Sequence, residues 1–113
     1  MITLDALREF GANVDEGLTR CMNNEAFYLR MVGMALKNDG FEKLKAAVEA
    51  HNVNEAFEYA HMLKGVLANL SITPILTPVS ELTELLRGGN DGDYSELLSE
   101  ILTKTEQLRS LSE

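Results

Sequence analysis

The chain has 113 residues, a hydrophobic fraction of 45% and a formal net charge of −8, which fits one compact domain with a modest core and argues against nucleic acid or an anionic membrane as partner. Its only cysteine, Cys21, excludes an intrachain disulfide and a cysteine-based zinc site, and reads as a buried structural thiol. No apolar run approaches the roughly 18 residues of a membrane span, and Met1-Ile2-Thr3-Leu4-Asp5 lacks the charged-then-apolar layout of a signal peptide, so a cytoplasmic protein is expected.

Period-2 alternation and long β-branched runs are absent and prolines number only two, so the expected class is all-α, without sheet. Thr3 can cap a helix from Leu4 to Phe10, which Gly11 stops. Asn13 can cap a second, Val14 to Met22, with Asp15 and Glu16 at its positive end. A third begins at Asn24, and in it Ala26, Phe27, Arg30, Met31, Met34 and Ala35 repeat at helical spacing. Its Phe and Met residues are expected in the core, filling irregular gaps, rather than around a cofactor. Asn38-Asp39-Gly40 breaks the pattern, and Asp39 is the expected cap of a helix from Phe41 to Ala50, unless that helix continues the one before it. Phe41, Leu44, Ala47 and Val48 form its apolar stripe, while Lys43, Lys45 and Glu49 face outward.

His51-Asn52-Val53-Asn54 is a connector in which His51 has no glycine or cation placed around it and reads as an exposed loop histidine. Asn54 is the expected cap of the key helix, Glu55 to about Leu70. Ser71-Ile72-Thr73 interrupts it, and Pro74 and Pro78 follow. Proline suits a first turn but costs about 3 kcal/mol in a helix interior. Either Thr73 caps a helix kinked at Pro78 or Thr77 caps one starting there; a first turn at Pro74 that regularises after Pro78 is favoured. Val79, Leu82, Leu85 and Leu86 supply its buried side, and Gly88-Gly89-Asn90-Asp91-Gly92 ends it. Asn90, Asp91 and Asp93 lack the spacing and terminal glutamate of a calcium loop. The last helix, Tyr94 to Leu111, carries Leu97, Leu98, Ile101, Leu102, Leu108 and Leu111 on a broad apolar side.

Enzyme signatures are missing: no glycine-rich phosphate loop, serine nucleophile elbow, HExxH or cysteine metal cluster, and no paired acid and base among the scattered carboxylates. A self-sufficient enzyme is not expected, nor is a cofactor or metal site. What stands out is Ala60-His61-Met62-Leu63-Lys64-Gly65. At roughly 100° per residue, Ala56, Ala60, Leu63, Leu67 and Leu70 share one stripe, and His61 lies roughly 140° from its centre, among Glu58, Lys64, Gly65 and Ala68. The imidazole therefore faces solvent. Gly65 costs about 0.5 to 1 kcal/mol relative to alanine in a helix; it clears space beside the ring, Ala68 keeps that space open, and Lys64 at i+3 reaches an anion carried on it. Phe57, Glu58, Lys64, Gly65 and Ala68 surround His61, with Met62 at the edge, so these are the expected docking residues, Phe57 being equally compatible with a core position.

These residues carry a resemblance. His61-Met62-Leu63-Lys64-Gly65, followed by Ala68-Asn69-Leu70, resembles the phosphoacceptor helix of histidine-containing phosphotransfer (HPt) domains, whose pattern reads roughly H-x-L-K-G with a small residue and a leucine following. Phe27-Tyr28-Leu29 in a preceding helix, and Leu82, Glu84, Leu85 and Arg87 in the following one, resemble the family's layout over most of the chain. Ser71 departs from it, standing where many members have glycine, which bears on the local turn and not on the acceptor.

The resemblance implies a single HPt-like domain over residues 1–113: an antiparallel four-helix bundle with short additional N-terminal helices. It implies a phosphocarrier without kinase machinery of its own, with His61 as phosphoacceptor through Nε2, Lys64 stabilising the phosphoryl group and Gly65 granting access. The partner is a response-regulator receiver domain, which supplies Mg²⁺, an acid pocket and the phosphorylated aspartate of a two-component phosphorelay; a hybrid sensor kinase is a second partner. Two other readings stand beside this one: a helical adaptor that binds a receiver without transfer, and a docking or dimerisation bundle of a larger sensor kinase. The methionine start and the polar end Ser110-Leu111-Ser112-Glu113 favour a free-standing protein.

Overall fold

The structure, a computed structural model, describes residues 2–89 and 92–112. These residues form seven α-helices and no strand: α1 (Leu4–Phe10), α2 (Val14–Arg20), α3 (Glu25–Leu36), α4 (Gly40–Glu49), α5 (Val53–Leu70), α6 (Thr73–Arg87) and α7 (Ser95–Leu111). Asn90 and Asp91, in the loop that resembles a calcium site only in composition, lie outside the described residues.

Short polar side chains start the N-terminal helices by accepting from amides that no helical carbonyl can reach. Thr3 Oγ1 accepts from the Ala6 N–H at 3.1 Å, Asn13 Oδ1 from Glu16 at 3.2 Å and Asn24 Oδ1 from Phe27 at 3.0 Å. Gly11 closes α1 in the left-handed region, at φ 107°. α2 stops two residues before the expected Met22, because Met22 and Asn23 turn to φ 57° and 58°, a conformation that no right-handed helix continues.

Three caps differ from expectation. Asp39 stands at the N-cap of α4 as expected, but its side chain makes no capping hydrogen bond and pairs with Lys43 at 3.2 Å; Asn38 Oδ1 accepts from the Gly40 N–H at 2.7 Å instead. α5 begins at Val53 because Asn52, rather than Asn54, caps it. Its Oδ1 accepts from the Glu55 N–H at 3.2 Å, which caps the helix, while its Nδ2 donates to the Glu55 carboxylate at 2.9 Å, which holds the Asn52 side chain in that position. Thr73 is the first residue of α6 and not its cap. Pro74 sits in the first turn as favoured, and the helix runs on through a buried Pro78.

α5 occupies the middle of the fold, packing against α2, α3, α4 and α6, while α7 packs on α6 and also meets α1 and α3. Ala56, Ala60, Leu63, Leu67 and Leu70 of α5 are buried in one cluster with Phe41 and Leu44 of α4, Ile75, Val79, Leu82 and Leu86 of α6, and Leu98, Ile101 and Leu108 of α7. Burial of each such leucine or isoleucine contributes roughly 1.5–3 kcal/mol, so this stripe decides which side of α5 is left for solvent. Cys21 is buried and unpaired with another cysteine.

α3 shows a different face from the one expected. Tyr28, Val32, Ala35 and Leu36 are buried, whereas Ala26 and Arg30 are exposed, Met34 is 60% exposed, and Phe27 and Met31 are half-buried. Apolar residues occur round most of this helix, so periodicity alone leaves the choice open. Tyr28 settles it. Its hydroxyl donates to the Leu70 carbonyl at 2.9 Å, and Gly17 allows the approach: a Cβ there would stand 2.6 Å from Tyr28 Cε1 and 2.7 Å from the Leu70 oxygen. Leu85 and Leu111, expected inside, are 40% and 45% exposed. Thr83 and Thr105 are buried in their helices, made tolerable by hydroxyls that donate to the Val79 and Ile101 carbonyls, each at 2.7 Å.

Ser71 ends α5 at φ 55° and ψ 39°. The Ile72 N–H then reaches back to the Leu67 carbonyl at 3.1 Å, a closure that glycine ordinarily serves. The turn is therefore kept with a side chain on it.

Candidate functional site

α5 is the element that positions the site. Its buried stripe includes Ala60 and Leu63, and the residues between and beyond them, His61, Met62 and Gly65, are exposed. His61 is held by its neighbour one turn earlier: the imidazole stacks on the Phe57 ring with centroids 5.6 Å apart and planes 15° from parallel, an i,i+4 contact that the helix makes by construction. Phe57 is half-buried, and so belongs to the site while also packing against the core.

The other face of this arrangement comes from α6. The Arg87 guanidinium lies 5.1 Å from the Phe57 ring centroid, within cation–π range. Glu84 holds it there, through Arg87 Nε donating to Oε2 at 3.2 Å. The same Glu84 oxygen stands 3.7 Å from Lys64 Nζ. One carboxylate thus pairs with two cations: Lys64, three residues after His61 on α5, and Arg87, which lies over the Phe57 ring on which the imidazole stacks.

Gly65 and Ala68 mark the open side. A Cβ built at Gly65 meets nothing within 4 Å, and Ala68 is half-buried. Met62 is 37% exposed; its sulfur accepts a weak hydrogen bond from Asn38 Nδ2 at 3.8 Å, and Gly40 leaves room for its methyl, since a Cβ there would lie 2.6 Å from Met62 Cε. Glu58 is exposed. A cavity of about 250 Å³ between α3 and α5, lined by Met31, Met34, Val66 and Asn69 among others, adjoins this side of the helix.

The structure thus places Phe57, His61, Lys64 and Gly65 together, with Glu58, Met62 and Ala68 on the same helix around them. Glu84 and Arg87 join this site as well, although in the sequence they stand only as an i,i+3 charge pair within the family's layout. Only the crossing of α6 over α5 brings them to Lys64 and Phe57. His51, the other histidine, is exposed at the α4–α5 connection, at φ 57°, beside Glu49, Asp93 and Tyr94 around a cavity of about 490 Å³. Among the described residues no group of three or more His, Cys, Asp or Glu could hold a metal ion, and no described helix is long and apolar enough to cross a membrane.

Chemically, the arrangement offers an accessible imidazole with one ring face covered by an aromatic side chain, ammonium and guanidinium groups close by, and open helix surface on the remaining side. It suits attack on an electrophile carried by a large molecule and retention of an anionic product. Residues 38–111 match the family model described as Hpt domain. No curated protein and no solved structure gives a significant match to the chain.

Proposed function

The chain belongs to the Hpt-domain family, the phosphocarrier modules of two-component signalling, and from that premise we propose that His61 is its phosphoacceptor. It exchanges a phosphoryl group with the aspartate of a response-regulator receiver domain. The observation that carries this reading is the H-x-L-K-G segment on an exposed face of α5, with the imidazole stacked on Phe57 and open space at Gly65. The lone pair of Nε2 attacks phosphorus as the aspartyl O–P bond breaks, and the electron pair of that bond leaves with the carboxylate; the ring keeps its proton on Nδ1. The reverse step returns the group to a receiver. Mg²⁺, expected on the receiver, would neutralise the transferring oxygens. The residues of this chain do the rest: Phe57 fixes the ring, Lys64 stabilises the phosphoryl oxygens, and Gly65 with Ala68 lets the receiver approach.

Phe57, Glu58, Met62 and Ala68 form the docking surface, and the exposed Met34 extends it towards α3, its flexible side chain adapting to a partner. The supporting frame is an antiparallel four-helix bundle whose members are α3 with α4, then α5, α6 and α7, with the short helices α1 and α2 at the N-terminus. The family match covers α4 to α7, and α4 packs on α5, α5 on α6 and α6 on α7, while α3 meets both α5 and α7. The protein works in the cytoplasm, where receivers are found, and takes its phosphate from partners without a kinase activity of its own.

The test is incubation with a panel of phosphorylated receivers. Wild type is expected to acquire an acid-labile, base-stable label that His61→Gln lacks and His51→Gln retains. Stable binding with no label on any histidine would replace the carrier by an adaptor, and label surviving in His61→Gln would move the acceptor elsewhere.

A further inference from the structure

Lys64 does not stand free beside His61. Its ammonium lies 3.7 Å from Glu84 Oε2, and that same oxygen is 3.2 Å from both Nε and a terminal nitrogen of Arg87. Arg87 in turn sits over the Phe57 ring on which the imidazole is stacked. One carboxylate on α6 therefore holds both cations of the site, and all three charged groups are partly exposed, Lys64 by 37%, Glu84 by 57% and Arg87 by 51%. Pairs of this kind are weak enough to be exchanged for a better anion. A phosphoryl group on His61 is such an anion, with more charge and more acceptor oxygens than a carboxylate.

We propose that Glu84 is a positioning residue that competes with the phosphoryl group on His61 for Lys64, and so sets how long the phosphohistidine lasts. This rests on His61 being the phosphoacceptor. With the ring unmodified, Lys64 is parked on α6. Once the phosphoryl group is in place, Lys64 divides its time between the two anions, while the second cation that Glu84 holds, Arg87, keeps the carboxylate from following Lys64 across. Hydrolysis breaks the N–P bond: water adds its oxygen to phosphorus, the bond's electron pair returns to the ring nitrogen, and inorganic phosphate leaves. The ring departs as a neutral group only if its other nitrogen carries a proton, the origin of the acid lability. An ammonium held at the phosphoryl oxygens disfavours that protonated ring and slows the loss. Glu84 does the opposite in two ways, by drawing Lys64 off and by placing a negative charge nearby, which leaves the group more readily given up.

The experiment loads the full chain, in a His51→Gln background, with phosphoramidate as donor. It then follows the phosphohistidine signal by phosphorus NMR after the donor is removed. Glu84→Gln, an exposed and nearly isosteric change, should lengthen the lifetime about two- to fivefold, the scale of one exposed ion pair. Glu84→Asp should lie between wild type and Glu84→Gln, and the effect of Glu84→Gln should shrink markedly in a Lys64→Met background. An unchanged lifetime in Glu84→Gln overturns the proposal, as does an equal lengthening with and without Lys64, which would mean that Glu84 acts on the ring without it. Phosphoramidate bypasses the receiver. If it loads His61 while phosphorylated receivers do not, the relay reading fails and the Glu84 measurement still stands or falls by itself.

Discussion

Gly65 is the residue whose cost and use can be separated by one substitution. It sits in the fourth turn of α5, where alanine or leucine would improve helix propensity, and a Cβ there has no neighbour within 4 Å. No described residue needs glycine at this position, which supports the access role proposed for Gly65. Gly65→Leu should therefore raise stability by about 0.5–1 kcal/mol in urea titration while slowing phosphotransfer from a receiver at least about tenfold, through steric obstruction of His61. Equal transfer rates would remove the access role. Much of this residue-scale picture is legible in the sequence, because helical angle alone puts His61, Lys64 and Gly65 outside the buried stripe. Glu84 and Arg87 are not legible in that way: their bearing on Lys64 and Phe57 exists only where α6 crosses α5, and charge pairing within α6 is also what an ordinary solvated helix face shows.

At the scale of elements, helix ends followed local chemistry except where two candidates stood close together. Asn38 and Asp39, or Asn52 and Asn54, are equally good caps by residue type. Which one caps depends on the path by which the chain enters the helix, and that path is fixed by the packing of α4 and α5. Ser71 is the opposite case, a position where packing overrides residue preference. It is buried at 3% exposure, holds φ 55°, and its Oγ makes no hydrogen bond with the described residues, yet its carbonyl accepts from the Asn13 N–H at 2.9 Å and so ties the end of α5 to the start of α2. A non-glycine residue in this conformation costs roughly 1–2 kcal/mol, partly offset by the lower chain entropy that serine brings to the unfolded state. Ser71→Gly should raise stability by about 0.5–1 kcal/mol, measured as a shift in urea midpoint at constant m. A fall in midpoint would show that the serine side chain contributes more by packing than its backbone strain removes.

Across the whole molecule, Tyr28 joins three helices. It lies on α3, contacts α2 where Gly17 has no side chain, and donates to the last carbonyl turn of α5. Burial, with a smaller contribution from Cys21, pushes its pKa from 10.0 up to about 12. The folded state therefore keeps the proton that the unfolded chain releases first, so this contribution to stability is complete below pH 10 and is lost as pH rises from 10 to about 12. Tyr28→Phe cannot titrate. It should be less stable than wild type at pH 7, where it lacks the hydrogen bond to Leu70, and the gap in urea midpoint should close as pH climbs through that window. A gap that stays constant to pH 12 would mean that the phenol is not confined as its surroundings indicate.

By itself, the sequence determined the all-helical class, the positions of most helices within a residue or two, the inward stripe of α5 and the exposed histidine opposite it. Those properties follow from spacing along one helix and from short-range capping, which act over a few residues. The tertiary structure decided the inward face of α3, the left-handed serine at the end of α5, and the placement of Glu84 and Arg87 beside the site. Each of these depends on one helix meeting another: Tyr28 needs a carbonyl 42 residues away, and Lys64 needs a carboxylate on the next helix. Periodicity records which residues share a face of a helix, but which neighbour covers that face is set by packing.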